Sequence, residues 1–106
     1  MSTVPSLAEW NLETVDVMQA LLGSISPNYR MITMDHDGSQ WIFTFVLEHE
    51  DVEDREEVED FAIEWEALKD RPTSCTTVVL IEAGALAWPA PPTRVIYRRR
   101  EAFDVA

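Results

Sequence analysis

Residues 48–70 read EHEDVEDREEVEDFAIEWEALKD, and whether this run is a solvated acidic tail or a docked helix decides the fold. It holds twelve of the chain's twenty acidic residues and two basic ones, Arg55 and Lys69. Within it Val58, Phe61, Ala62, Trp65 and Leu68 recur at i, i+3, i+4, i+7 and i+10, the apolar stripe of an amphipathic helix. The remaining faces carry Glu53, Glu56, Glu57, Glu59, Asp60, Glu64 and Glu66. Repulsion between like charges at i, i+4 costs a few tenths of a kcal/mol per pair. A buried leucine or large aromatic contributes about 1.5–3 kcal/mol, so the stripe offsets that cost only when it is docked on a core. Asp51 or Asp54 opens the helix, and Asp54 with Glu57 has the spacing of a capping box.

Immediately upstream, residues 29–36 and 39–48 read as a hairpin. Asp37-Gly38 is a two-residue turn signal that needs positive φ. That turn sets Met34 opposite Trp41, Ile32 opposite Phe43 and Arg30 opposite Phe45. One face then reads Ile32, Met34, Trp41, Phe43, Phe45 and Leu47, the side expected to meet the core. The other face holds Tyr29, Met31, Thr33, Ile42, Thr44 and Val46, apolar for a surface meeting water. Scattered surface apolar residues account for it; a homodimer or partner covering it is the competing reading.

Before the hairpin, a helix is expected over residues 11–22. Asn11 serves as its N-cap and Trp10 packs on Val15 as a staple. Ser6 with Glu9 forms a rival capping box that would start the helix a turn earlier. Leu12, Val15, Met18 and Leu22 line the stripe expected to face the core, widened by Leu21 and Ile25. Gly23 and Pro27 end the helix.

After the acidic helix, residues 74–82 form a third strand, apolar on both faces and therefore expected inside the sheet. Residues 94–100 form a fourth, alternating Val95, Tyr97 and Arg99 against Arg94, Ile96, Arg98 and Arg100. Between them lies AGALAWPAPPT, long for a hairpin loop and pre-ordered by proline. Trp88 in this loop is expected to plug the edge of the core, the alternative being a rigid contact for a partner. The elements run helix, hairpin, helix, hairpin. The expected fold is a single α+β domain over residues 1–106: a two-layer sandwich with order α-β-β-α-β-β, a four-stranded, mainly antiparallel sheet and two helices on one face.

The 106 residues suffice for one hydrophobic core, and 46% hydrophobic content with four tryptophans excludes a disordered chain. The net charge of −12 is concentrated: −4 over residues 1–47, −10 over 48–70 and +2 over 71–106. Such a field repels nucleic acid and anionic membrane and steers basic partners, and it exceeds what solubility needs. Cys75 is the only cysteine, which excludes an internal disulfide and a cysteine metal cluster. Its apolar surroundings suggest a small buried residue. The first ten residues carry neither a basic region nor a long apolar run, and no apolar run approaches the roughly 20 residues of a membrane helix. A cytoplasmic protein is expected.

Chemistry-bearing constellations are sparse. Asp35-His36-Asp37 and His49-Glu50-Asp51 gather metal-ligand residue types, but the first is explained by turn geometry and the second by a helix entrance that favours acids. No metal site, cofactor or catalytic residue is assigned. With three glycines there is no phosphate loop, and no nucleophile constellation can be named. Arg98-Arg99-Arg100 beside so much negative charge reads as pairing with acidic neighbours rather than with phosphates.

Three segments, LLGSISPNYR at 21–30, EDREEVEDFAIEWEAL at 53–68 and WPAPPTRVIYRRRE at 88–101, make the chain resemble small bacterial immunity-type proteins of polymorphic-toxin and contact-dependent inhibition systems. The resemblance implies a compact α/β inhibitor of a cognate toxin, acidic where that toxin is a basic nuclease. Contact residues in such proteins diverge with each toxin, so none transfers by motif. The charge pattern itself points to Glu53, Glu56, Glu57, Asp60 and Glu64, with Trp88 as an anchor, as the residues that bind a protein partner. The alternative is a homodimeric structural or adaptor protein using the outer sheet face around Met31, Ile42 and Val46.

Overall fold

The computed structural model describes residues 4–101. The elements are α1 (Leu7–Ala20), β1 (Tyr29–His36), β2 (Trp41–Leu47), α2 (Val52–Ala67), β3 (Cys75–Ile81) and β4 (Arg94–Arg98). The element order is the expected one and the class is α+β. The sheet differs. Its strand order is β3-β2-β1-β4, with β1 antiparallel to β2 and β4 but β2 parallel to β3. The sheet is mixed, and β3, expected in the interior, lies at an edge. The reason is α2, which connects β2 to β3. A helix that crosses back over the sheet returns the chain to the end where β2 began, so the next strand runs parallel. The expected second hairpin is therefore absent. β3 and β4 occupy opposite edges, and residues 82–93 cross the sheet between them.

The β1–β2 hairpin closes through four residues rather than two. Asp37 Oδ1 accepts from Ser39 N at 2.8 Å, Ser39 Oγ at 3.0 Å and Gln40 N at 2.9 Å, while Gly38 takes the required positive φ of 96°. An aspartate collecting three donors closes the wider loop, and those bonds hold its carboxyl below the usual carboxylate range. The register becomes Met34 opposite Phe43 and Ile32 opposite Phe45, two residues from the expected pairing. A shift of two keeps every side chain on its own face. Ile32, Met34, Trp41, Phe43, Phe45 and Leu47 accordingly all join the core.

At the other end of β1 the expected alternation fails. A bulge between Tyr29 and Met31 turns Tyr29 into the core, where its ring meets Phe45 edge-on at 6.0 Å. Arg30 is the extra residue. Instead of facing Phe45 it reaches Glu101, Glu82 and Gly84. A bulge is the local device that moves a guanidinium out of an apolar layer without breaking the strand.

Helix α1 starts a turn earlier than residue 11 because the Ser6–Glu9 capping box forms. Its rotation is also not the expected one. Val17, Ala20 and Leu21 are buried with Trp10 packed beside them, while Leu12, Val15, Met18 and Leu22 are 58% to 78% exposed. Trp10 meets Trp41 edge-on at 5.0 Å. Arg94 donates to Thr14 Oγ1 at 2.9 Å and to Asn11 Oδ1 at 3.1 Å. Trp10 and Thr14 lie on the buried side, so these partners turn the other apolar stripe outward.

Helix α2 follows the sequence closely. Asp51 is the N-cap and accepts from Asp54 N at 3.0 Å. Val58, Phe61 and Trp65 are buried in the same cluster as the α1 residues, Ala62 is half-buried and Leu68 caps the end, partly exposed. Asp54 opens no capping box. It is buried and accepts from Asn28 Nδ2 at 2.9 Å.

The sheet face away from this cluster is closed by the chain itself. Arg30 Nη1 donates to the carbonyls of Glu82 and Gly84 at the start of the 82–93 crossover. Arg98 donates to those of Leu86 and Ala87 and touches Met31 Sδ. Thr93 Oγ1 donates to Asp35 at 2.6 Å at its far end. Met31, Thr33 and Val46 are buried as a result. A homodimer through Met31, Ile42 and Val46 thus loses two of its three contact residues.

Candidate functional site

The acidic helix presents its carboxylates as the sequence indicates. Glu53, Glu56, Asp60 and Glu64 are exposed and Glu57 is half-buried. Glu53, Glu57, Asp60 and Glu64 succeed one another at i, i+4, i+7 and i+11, one stripe along a helix of 3.6 residues per turn, and Glu56 flanks it. None of the five has an ion-pair or hydrogen-bond partner among the described residues. Five carboxylates elsewhere are matched by cations. Glu13 and Asp16 share Lys69, Glu50 pairs with Arg55, and Glu48 and Glu101 pair with Arg99. Lys69, lying 4.1 Å from the Trp65 ring centroid, ties α1 to the end of α2. Negative charge is left unmatched where α2 faces water.

Trp88 does not plug the core. It is 66% exposed on the crossover, with the Arg98 guanidinium stacked 4.3 Å from its centroid. Arg98 pairs with Met31 on the sheet face away from α2, so the structure separates Trp88 from the carboxylate stripe.

Two of the three consecutive arginines, Arg98 and Arg99, are spent locally, while Arg100 is exposed. Arg98 holds the crossover, and Arg99 donates to Glu48 Oε1 at 2.7 Å and to Pro27 O at 2.8 Å. Strand β4 ends at Arg98, before the expected residue 100. Arg30 meets Glu101 in a two-pronged pair at 2.7 and 2.8 Å, both side chains almost fully enclosed. The Arg30 bonds, with help from Arg99, hold the Glu101 carboxyl down at about 2. A depressed carboxylate stabilises the fold fully above its unfolded value and loses that contribution as pH falls toward the folded value. We expect the urea midpoint of Glu101→Gln to lie well below that of the parent chain at neutral pH. The gap should close as pH falls from about 4.5 toward about 2. A gap that stayed constant over that window would remove the ion pair as its cause.

The remaining candidates are structural. His36 Nδ1 accepts from Gly38 N at 3.0 Å and its ring meets Trp41 edge-on. The backbone of His49 is held by the Asn28 amide at both N–H and carbonyl. Among the described residues no three His, Cys, Asp or Glu side chains gather as a ligand set. Cys75 is half-buried rather than buried. Burial, reinforced by Glu66, pushes its thiol up to about 12. No helix among the described residues is long and apolar enough to cross a membrane.

What sequence reasoning missed is the outer face of α1. Past the capping turn its exposed residues are Asn11, Leu12, Val15, Met18 and Gln19, followed by Leu22, and none carries charge. The signal that could have found it is the rival Ser6–Glu9 box together with Trp10, Val17 and Leu21 at i, i+7 and i+11, a second stripe on the same helix. At the seam of the helices lies a cleft of about 460 Å³ lined by Leu12, Leu68, Glu9, Asp70, Arg71 and the Lys69 cluster.

No curated protein matches the chain. The sequence model of the MafI2 immunity protein family matches residues 14–101, from the middle of α1 to Glu101, and so takes in the hairpin, α2, the crossover and β4. With most of its length matched, the chain belongs to the MafI2 immunity protein family, immunity-type proteins of polymorphic-toxin systems.

Proposed function

We propose that this immunity protein neutralises a nuclease toxin by occlusion, as a stoichiometric cytoplasmic inhibitor with no chemistry of its own. Glu53, Glu56, Glu57, Asp60 and Glu64 would meet the Lys and Arg groups with which the toxin holds phosphate. The observation that carries this reading is the contrast in pairing described above: Glu53, Glu56, Glu57, Asp60 and Glu64 on α2 are unmatched, whereas Glu13, Asp16, Glu48, Glu50 and Glu101 have cations of the chain's own. Carboxylates fixed on a docked helix complement a cationic surface without reorganisation and speed encounter. Trp88, an exposed aromatic on a proline-ordered segment, would anchor a separate, smaller contact.

The test is charge reversal. Glu56→Lys, Glu57→Lys and Asp60→Lys combined are expected to slow association with the toxin domain about 10- to 100-fold at low salt and to flatten its salt dependence. Stopped-flow mixing at several ionic strengths reads both. An unchanged on-rate and affinity would dismiss the acidic face as the contact.

A further inference from the structure

We propose that the outer face of α1, formed by Leu12, Val15 and Met18 and continued by Leu22 just past its C-cap, seats in an apolar groove on the toxin, with the rim of that groove cationic and met by the carboxylates of α2. The inference rests on the immunity reading and deepens it: α2 steers the encounter, and α1 holds the complex.

Three large apolar side chains on one helix, Leu12, Val15 and Met18, continued by Leu22 in the turn past its C-cap and all 58% to 78% exposed, form a contiguous patch rather than scattered surface residues. Leu12, Val15 and Met18 recur every three residues along one side of the helix, as in the anchors by which a helix seats in a groove. The helix is already folded and fixed from behind by Trp41, Lys69 and Arg94, so docking would order little new chain. Leu12 carries the patch into the cleft beside Leu68, lined by Glu9, Glu13, Asp16 and Asp70 against Lys69 and Arg71. The surface is therefore an uncharged centre with margins of net negative charge, and it fits a partner with an apolar centre and basic margins.

That charge pattern also selects the occupant. A second copy would bring another −12 to the contact, with its own acidic α2 beside the same stripe. A lipid surface calls for Lys and Arg along the helix, and Leu7–Ala20 contains neither. A basic heterologous protein is the partner that both features favour.

The experiment uses the full chain and, as probe, the purified nuclease domain of the toxin it protects against. Val15→Ser with Met18→Ser should weaken the complex at least 100-fold, chiefly through faster dissociation, with an on-rate near that of the parent. The urea midpoint should be unchanged, because both side chains already face water. Leu12→Ser and Leu22→Ser, tested singly, should each weaken binding about 10-fold and provide the reading should the double variant shift stability. Full affinity in these variants would overturn the α1 contact while leaving the immunity reading intact. Failure of the parent chain to bind the toxin would overturn both. A parent dimer in light scattering that the same substitutions dissociate would assign the face to a second copy instead.

Discussion

Replacing Trp65 with alanine should lower the unfolding free energy by about 3–5 kcal/mol, the range for truncating a fully buried aromatic. Trp65 is wholly enclosed and meets Phe43 edge-on at 5.0 Å. Phe61, one turn earlier on α2, meets Phe43 at 5.1 Å and Phe45 at 5.3 Å. This aromatic set joins α2 to the middle of the sheet. The truncation also removes the surface over which Lys69 sits while bridging to Glu13 and Asp16, so α1 should loosen together with α2. Domains of this size have only about 5–15 kcal/mol in total, and the variant should unfold early in urea by circular dichroism. Trp65→Phe is the informative companion. The indole Nε1 is buried without a partner among the described residues, so phenylalanine loses ring area but also removes an unsatisfied donor, and its loss should be much the smaller. Equal losses in the two variants would mean that the ring packing is not what holds α2.

The second large effect is expected at Arg30. Its guanidinium, 1% exposed, joins β1 to Glu101 beyond β4 and to the carbonyls of Glu82 and Gly84 at the start of the crossover. Arg30→Ala leaves Glu101 enclosed with Arg99 as its remaining cation, and removing one partner of a buried pair costs about 3–5 kcal/mol. Arg30→Lys should recover little, because an ammonium cannot reproduce the planar fork that serves a carboxylate and two carbonyls together. The double variant Arg30→Met, Glu101→Leu separates the two contributions. Where the damage of the single variant is a stranded charge, the double variant is expected to be nearer the parent than Arg30→Ala is. A double variant as unstable as the sum of its parts would place the cost in the lost carbonyl bonds, and the crossover would be the element that Arg30 secures.

Much of α2 was legible because its apolar stripe and its charge leave only one way to dock. The carboxylates cannot be buried, so Val58, Phe61 and Trp65 must be. Trp88 was misread because a bulky loop aromatic usually packs inward, and nothing local reveals that Arg98, ten residues on, stacks on its exposed ring. The outer face of the hairpin, expected to meet water, was misread for a related reason. Met31 and Val46 look like surface apolar residues until the strand order sends residues 82–93 across them.

By itself the sequence determined the element order, the inward face of the hairpin and the helical character and rotation of the acidic run. These depend on periodicities of two and 3.6, which survive a two-residue slip of register and an error of one turn at a helix end. Only the tertiary structure decided which of two apolar stripes α1 buries, where β3 and β4 stand in the sheet and how Arg30 leaves the core. A helix with two apolar stripes has no preferred rotation until Trp41, Lys69 and Arg94 arrive from distant parts of the chain. Strand order likewise depends on how α2 crosses the sheet, a contact between residues far apart in sequence that no local pattern records.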